Sequence, residues 1–306
     1  MQTILGAGGP VSNALAPVLA ANGQQLRLVS RRPLSVGGNT SWTGADLKDY
    51  ESLKKAAAGS SIIYMCAGLK YDKAVWKEEW PVIMRNLIRL TKDTGARLIF
   101  FDNVYMYGRV NGPMKETTPN RPASVKGEVR AAVADMLLNE VASGSIRASL
   151  VRAADFYGTG GSNSFFDMMV LKRLIDGQKP QWLGNPDTLH SFTFIPDTAQ
   201  ALAALGANPE SDNQIWHLPT APAITGRRFI ELAAAQFGAD PRFSTVNKLM
   251  LQLIGVFNKL IGETAEMYYQ YRYDYAFDSS KFEQAFRMLP TPYETGMKSA
   301  IDLLKG

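Results

Sequence analysis

Ile4-Leu5-Gly6-Ala7-Gly8-Gly9-Pro10-Val11-Ser12-Asn13-Ala14-Leu15 is the stretch that decides how this chain folds. A short apolar strand runs into three glycines and then into a helix whose first turns hold Ser12 and Asn13. Glycines let the backbone turn tightly and approach a diphosphate closely. The helix start adds free N–H groups and the positive end of its dipole. Gly6, Gly8, Gly9, Pro10 and Val11 are therefore the expected phosphate-binding loop of a dinucleotide. Read as G-x-x-G-x-x-G, the loop has Ser12 at its third position, the next smallest polar choice. Pro17 falls inside the helix, where proline normally produces a kink.

The end of the second strand reads Val29-Ser30-Arg31-Arg32-Pro33, with no acid in reach. A carboxylate at that place would hold ribose hydroxyls, whereas a 2′-phosphate needs arginine. Ser30, Arg31 and Arg32 can pair a phosphate by charge-assisted hydrogen bonds. NADP is favoured over NAD, which stays open.

Outward from this loop, the first half alternates strand-like runs (3–5, 26–29, 62–65, 98–101, 149–152) with helical stretches (13–21, 47–58, 80–94, 127–140). Such alternation predicts βαβ units around a parallel sheet. The strands are apolar runs rather than strict alternations, as expected when both faces are covered. Beyond Ala154 the rhythm changes to helices at 165–176, 196–205, 226–237 and 246–261, joined by Pro- and Gly-bearing segments. The expected fold is α/β, a Rossmann-type doubly wound parallel sheet with a smaller C-terminal substrate domain. Residues 1–154 form the dinucleotide-binding part and 155–306 mainly the substrate part. Residues 190–205 are expected to return to the Rossmann part, with 192–195 rejoining the main sheet.

Composition sets the outer limits. The 306 residues are 46% hydrophobic and 20% charged, ordinary for a soluble globular chain. The net charge of +5 is spread along the chain, so no nucleic-acid partner is indicated. Cys66 is the one cysteine, which excludes an internal disulfide and fits a reducing, cytoplasmic setting. No signal peptide is visible, and the apolar stretch 249–261 is too interrupted to span a bilayer, so no membrane partner is expected. Two histidines and one cysteine cannot assemble a zinc site, so no metal is expected.

The chain resembles the extended short-chain dehydrogenase/reductase superfamily, the group described as NAD-dependent epimerases/dehydratases. The likeness rests on the glycine loop, Gly44-Ala45-Asp46-Leu47, the run 62–68, Tyr107-Gly108, Pro122-Ala123-Ser124 and Val151-Arg152. Phe156-Tyr157-Gly158 and Ile195-Pro196-Asp197-Thr198-Ala199 complete it. No single motif is specific, but their order and spacing cover nearly the whole chain. The resemblance implies that Asp46 and Leu47 lie near the adenine, and that Cys66, Ala67 and Gly68 line the cofactor. It places Asp155, Phe156 and Tyr157 at the substrate cleft, and implies a homodimer through the helices at 80–94 and 127–140.

The family's catalytic serine or threonine, tyrosine and lysine are all replaced. In register, the hydroxyl position holds Asn103, the tyrosine position Lys126 and the lysine position Arg130. In this the chain is similar to atypical members of the superfamily. Asn103 can still donate an amide hydrogen bond to a carbonyl. Arg130 can hold ribose or phosphate but cannot act as a base. Lys126, its pKa expected to fall beside Arg130, is the first candidate for proton transfer and for the ribose, and Tyr105 is the second. His190 and His217 read as structural residues. The function expected is an NAD(P)-dependent oxidoreductase or epimerase-like enzyme for a small carbonyl or sugar-type substrate, with a non-standard active site. The alternative is a non-catalytic, NADP-binding redox sensor or regulatory protein.

Overall fold

The computed structural model describes residues 1–160 and 164–305. Its first half alternates β1 (Gln2–Leu5), α1 (Pro10–Ala21), β2 (Leu26–Ser30), β3 (Thr40–Gly44), α2 (Tyr50–Ala56), β4 (Ile62–Met65), α3 (Lys73–Thr94), β5 (Arg97–Asp102), α4 (Val125–Ala142) and β6 (Ala148–Arg152). These strands, with β11 (Ile215–His217), make one seven-stranded sheet in the order β11-β6-β5-β4-β1-β2-β3. Every pairing in it is parallel. The strand order reverses between β1 and β4, and their carboxyl ends open the crevice where such sheets take ligands.

Both faces are covered, which explains the nearly continuous apolar strands. Leu53 of α2, Leu87 of α3 and Leu137 of α4 pack with Leu5, Ile63 and Phe100 in one buried cluster. Leu15 of α1 and Leu202 of α6 (Ile195–Ala207) pack with Ile4, Tyr64 and Val151 on the other side. Asp49 and Asp72 cap α2 and α3, accepting from the first-turn amides of each helix. The helix α1 runs through Pro17 without a break.

The remaining elements are β7 (Asp155–Tyr157), α5 (Lys172–Ile175), β8 (Gln181–Leu183), β9 (Leu189–His190), β10 (Phe192–Phe194), β12 (Ile224–Thr225), α7 (Gly226–Ala235) and β13 (Ser244–Val246). They are followed by α8 (Lys248–Phe257), α9 (Lys259–Thr264), α10 (Tyr269–Arg272), α11 (Ser280–Phe286) and α12 (Tyr293–Lys305). A third cluster, with Trp182, Phe229, Tyr293 and Met297, forms the core of this smaller part.

Three local expectations change. Residues 192–194 do not rejoin the main sheet; β10 pairs with β7, and β11 takes the place beside β6. A parallel neighbour must arrive through a crossover, and here α6 supplies it by preceding β11, not β10. The helix expected over 246–261 is two helices, divided at Asn258, whose side chain caps the second. The edge strand β3, Thr-Ser-Trp-Thr-Gly, has no apolar run to announce it.

Candidate active site

Gly6 leaves β1 at φ +83°, and a Cβ there would lie 2.2 Å from the Ala67 Cα, so the first turn requires glycine. The amides of Gly6 and Ala7 both donate to the Val29 carbonyl at 3.0 Å, fixing the loop against β2. Gly8, at φ +94°, leads to Gly9, which caps α1 without a side-chain hydrogen bond. Pro10 opens the helix, its missing N–H being one that would go unpaired there. Ser12 Oγ donates back to the Gly9 carbonyl at 2.8 Å, so the serine at the third glycine position serves the turn itself. The amides of Gly8, Gly9, Val11 and Ser12 meet no acceptor among the described residues. Four free donors at a helix start fit a diphosphate.

Around this loop, Arg31 and Arg32 are exposed and join no ion pair among the described residues. Ser30 Oγ donates to the Arg32 carbonyl (2.6 Å) and accepts from Trp42 Nε1 (3.0 Å), which shapes the turn carrying both arginines. Asp46 accepts from the Lys48 amide at 3.0 Å, and the Leu47 carbonyl accepts from Asn86 at 2.9 Å. The Cys66 amide donates to the Leu5 carbonyl at 2.9 Å, and burial pushes its thiol up to about 12. Ala67 meets Gly6, and Gly68 is exposed on the loop beyond.

Beyond β5, Asp102 Oδ1 accepts the Asn103 amide at 2.7 Å, and Asn103 Oδ1 accepts the Tyr105 amide at 3.0 Å. The Asn103 side-chain NH2 has no acceptor among the described residues and is free for a ligand oxygen. Gly127, in the first turn of α4, brings that helix against the turn at Tyr105; a Cβ there would sit 2.6 Å from the Tyr105 carbonyl. Ser124 caps α4 by accepting the Gly127 amide at 3.0 Å. This contact fixes where Lys126 and Arg130 stand.

Lys126 is fully buried. Its Nζ donates to Glu263 Oε2 and Glu266 Oε1, both at 2.6 Å, and to the Glu263 carbonyl at 3.1 Å. The Tyr71 ring lies beneath the same ammonium, 4.4 Å away. Burial raises the Glu263 carboxyl, and Lys126 and the Lys73 amide more than reverse this, leaving it below the usual range. Arg130, one turn further along α4, is buried in an ion pair with Asp102 and lies 4.2 Å over the Trp80 ring. The charges at the lysine are therefore two carboxylates, whereas the sequence pointed to Arg130 as its neighbour. Arg130 is held by Asp102 at the end of β5.

A cluster of phenols adjoins the lysine. Tyr105 stacks on Trp76 (6.0 Å, 14°), and its hydroxyl lies beside that of Tyr71. Asp155 accepts from Tyr271 Oη at 2.6 Å and pairs with His190 Nε2 at 3.1 Å. His190 is sandwiched between Tyr271 (4.7 Å) and Tyr275 (4.5 Å). Burial, with the Asp155 charge added, pushes Tyr71, Tyr105, Tyr269, Tyr271 and Tyr275 up, so each is a proton donor rather than a phenolate. Phe156 stacks on Phe101 at 5.6 Å. Tyr157 is packed against Phe166 and Phe194 in the core of the smaller part, not at a cleft.

Tyr71, Glu263 and Glu266 escaped the sequence reading. Glu263-x-x-Glu266 spacing could have revealed the carboxylates, since residues three apart share one helical face. No group of three or more His, Cys, Asp or Glu among the described residues could hold a metal ion.

Residues 3–218, nearly the whole sheet and the loop that opens it, match the Epimerase family, described as the NAD dependent epimerase/dehydratase family. The chain belongs to that family. No curated protein matches this family member in sequence. Among solved structures it is similar to MoeE5 in complex with UDP-glucose and NAD, at 19% identity and a TM-score of 0.79 over 99% of this chain and 98% of that one. It is also similar to DesIV, a dTDP-glucose 4,6-dehydratase from Streptomyces venezuelae, at 15% and 0.80, over 100% and 97% of the two chains. The UDP-glucose 4-epimerase of Thermotoga maritima gives 15% and 0.80 over 100% and 99%. At such identities these establish the shared fold.

Proposed function

We propose that this epimerase/dehydratase-family chain is an NADP-dependent oxidoreductase or epimerase-like enzyme with a non-standard active site, acting on a small carbonyl or sugar-type molecule. The observation that carries this reading is the set of free amides at Gly8, Gly9, Val11 and Ser12, with Arg31 and Arg32 unpaired at the end of β2. The bound dinucleotide would supply hydride transfer. The chain would bind its diphosphate on the helix start, its 2′-phosphate on the two arginines and its adenine near Asp46 and Leu47. The Cys66 to Gly68 segment would line the cofactor. NAD is the weaker choice, because no carboxylate follows β2.

At the reacting carbon, the free Asn103 amide would hold a carbonyl oxygen. Tyr105, backed by Tyr71, is the nearest neutral phenol to it in sequence and in the turn. Lys126 would deliver a proton only after Glu263 and Glu266 give up its hydrogens. Asp155 and Phe156 border the same cluster and would meet the substrate. Nucleotide sugars lead the substrate choices, because MoeE5 and the Thermotoga maritima epimerase bind UDP-glucose. The second reading, a non-catalytic NADP-binding sensor, is favoured by one specific fact: all three hydrogens of the buried Lys126 ammonium are engaged by protein.

Titration of NADPH and NADH by fluorescence separates these. Tighter binding of NADPH is expected, falling about tenfold in Arg31→Ala/Arg32→Ala with NADH little changed. Turnover of an aldehyde, ketone or nucleotide sugar that is lost in Lys126→Ala or Tyr105→Phe supports the enzyme and names the donor. Binding without turnover supports the sensor, and no binding of either coenzyme defeats both. The α3–α4 face, with a surface groove lined by Arg85, Ile88, Arg89 and Met136, is the proposed homodimer contact. A cytoplasmic location fits the single free cysteine.

A further inference from the structure

The helices α8 and α9 form a hairpin whose apolar side chains face outward. They cross where Gly255 meets Gly262; a Cβ on Gly255 would lie 2.6 Å from the Gly262 Cα. Backbone contact therefore holds the hairpin together without large side chains. Asn247 caps α8 through the Met250 amide (2.9 Å), and Asn258 caps α9 through the Leu260 amide (3.1 Å). Of the α8 side chains only Leu251 is buried. Leu249 (64%), Leu253 (60%), Val256 (78%) and Phe257 (93%) are left in solvent. Among the described residues, seven of the twelve exposed large hydrophobic ones lie between Leu249 and Leu260, so exposed apolar surface is concentrated here.

The ridge's own side chains carry charge of one sign, and Asp72 of the neighbouring element pairs only Lys259. From Phe243 to Gly262 there is no acidic residue, while Lys248 and Lys259 bracket α8 and both are exposed. We propose that the hairpin docks on an anionic lipid surface, lying in the headgroup plane with Val256 and Phe257 inserted and Lys248, which joins no ion pair among the described residues, on lipid phosphates. An apolar face flanked by cations is the pattern of interfacial helices. Ten residues make about 15 Å of helix, half a bilayer's hydrocarbon thickness, so α8 can lie on a membrane but not cross it. No helix among the described residues is long and apolar enough to cross. The absence of a membrane partner expected from sequence rested on the lack of a spanning segment, which a helix lying in the interface does not need. A second copy is the weaker occupant. A convex ridge about 15 Å long, most exposed at its tip, offers little of the roughly 800 Å² per partner that a stable dimer needs.

The hairpin is also tied to the candidate site. Lys259 pairs with Asp72 at 2.5 Å, and Glu263 at the far end of α9 holds Lys126. Lipid docking would set the site beside the bilayer surface. Lipid binding is read without coenzyme or substrate, so it stands apart from the function proposed above. The whole chain would be sedimented with vesicles of phosphatidylcholine, with and without phosphatidylglycerol. Pelleting with the phosphatidylglycerol vesicles is expected, reduced at least tenfold in Val256→Ser/Phe257→Ser and weakened by Lys248→Glu, with melting unchanged because all three side chains are exposed. Failure to pellet with either vesicle, or equal pelleting of the double variant, would overturn the proposal. So would a dimer in light scattering that Val256→Ser/Phe257→Ser converts to monomer.

Discussion

His217 shows at the scale of one residue how this fold uses a polar group away from the candidate site. Arg152 donates to Tyr107 Oη at 2.6 Å, Tyr107 donates to His217 Nε2 at 2.8 Å, and His217 Nδ1 donates to the Asp278 carbonyl at 2.9 Å. The Phe277 ring stacks on the imidazole at 4.2 Å. In this chain the imidazole must be neutral, and burial lowers its pKa to about 3 from 6.5. An unfolded chain protonates this histidine below pH 6.5 while the folded chain does not. Stability is therefore full above that pH and declines as pH falls toward 3, by at most ~1.4 kcal/mol per pH unit. His217→Gln is expected to lower the melting temperature overall and to flatten its pH dependence between pH 6 and 4, roughly the window that shift defines. Thermal melts across that range check it; an unchanged slope would place the pH sensitivity elsewhere. Sequence alone marked His217 as structural because it follows Trp216 in a strand-like run, but its partners lie far along the chain, at Tyr107 and Asp278.

Among elements, the contact between α4 and α9 places a buried ion pair beside the site. Lys126 is fully buried, and Glu263 nearly so, so removing the cation leaves the Glu263 carboxylate buried without its partner. Lys126→Met is expected to cost about 3 kcal/mol, the scale for orphaning a buried charge. Added Glu263→Gln and Glu266→Gln should recover part of that loss. Denaturant unfolding of the single and triple variants measures it, and hydrogen exchange should quicken over 259–267 in the single variant alone. The adjoining Asp72 is held at about 2, against the usual 3.8, chiefly by the Lys259 hydrogen bond. That part of the latch is at full strength above pH 4 and weakens as pH falls toward 2. Periodicity revealed α4 and a single helix over 246–261, but neither α9 as a separate helix nor this pairing. The break at Asn258 that turns α9 back toward α4 looks, in sequence, like one more polar residue in an apolar run.

For the whole molecule, Arg97 fastens the return of the chain to the sheet. It leads β5 and forms a two-pronged pair with Asp212 (2.7 and 2.8 Å), while its other hydrogens reach the carbonyls of Leu205, Gly206 and Asn208 at the end of α6. Arg97→Ala leaves Asp212 buried without a cation, and an unfolding loss of about 3–5 kcal/mol is expected. The variant should lose α6 and β11 together, read as joint loss of amide protection over 195–217. Local sequence was enough for the α/β class, the glycine loop and five of the parallel strands, because strand and helix periods and a turn that admits only glycine are properties of neighbouring residues. Only the folded chain settled which strand lies beside β6, which charges surround Lys126 and which face of α8 is left in water. Those depend on residues 65 to 140 positions apart, or on what the packing leaves uncovered, and no local pattern encodes such meetings.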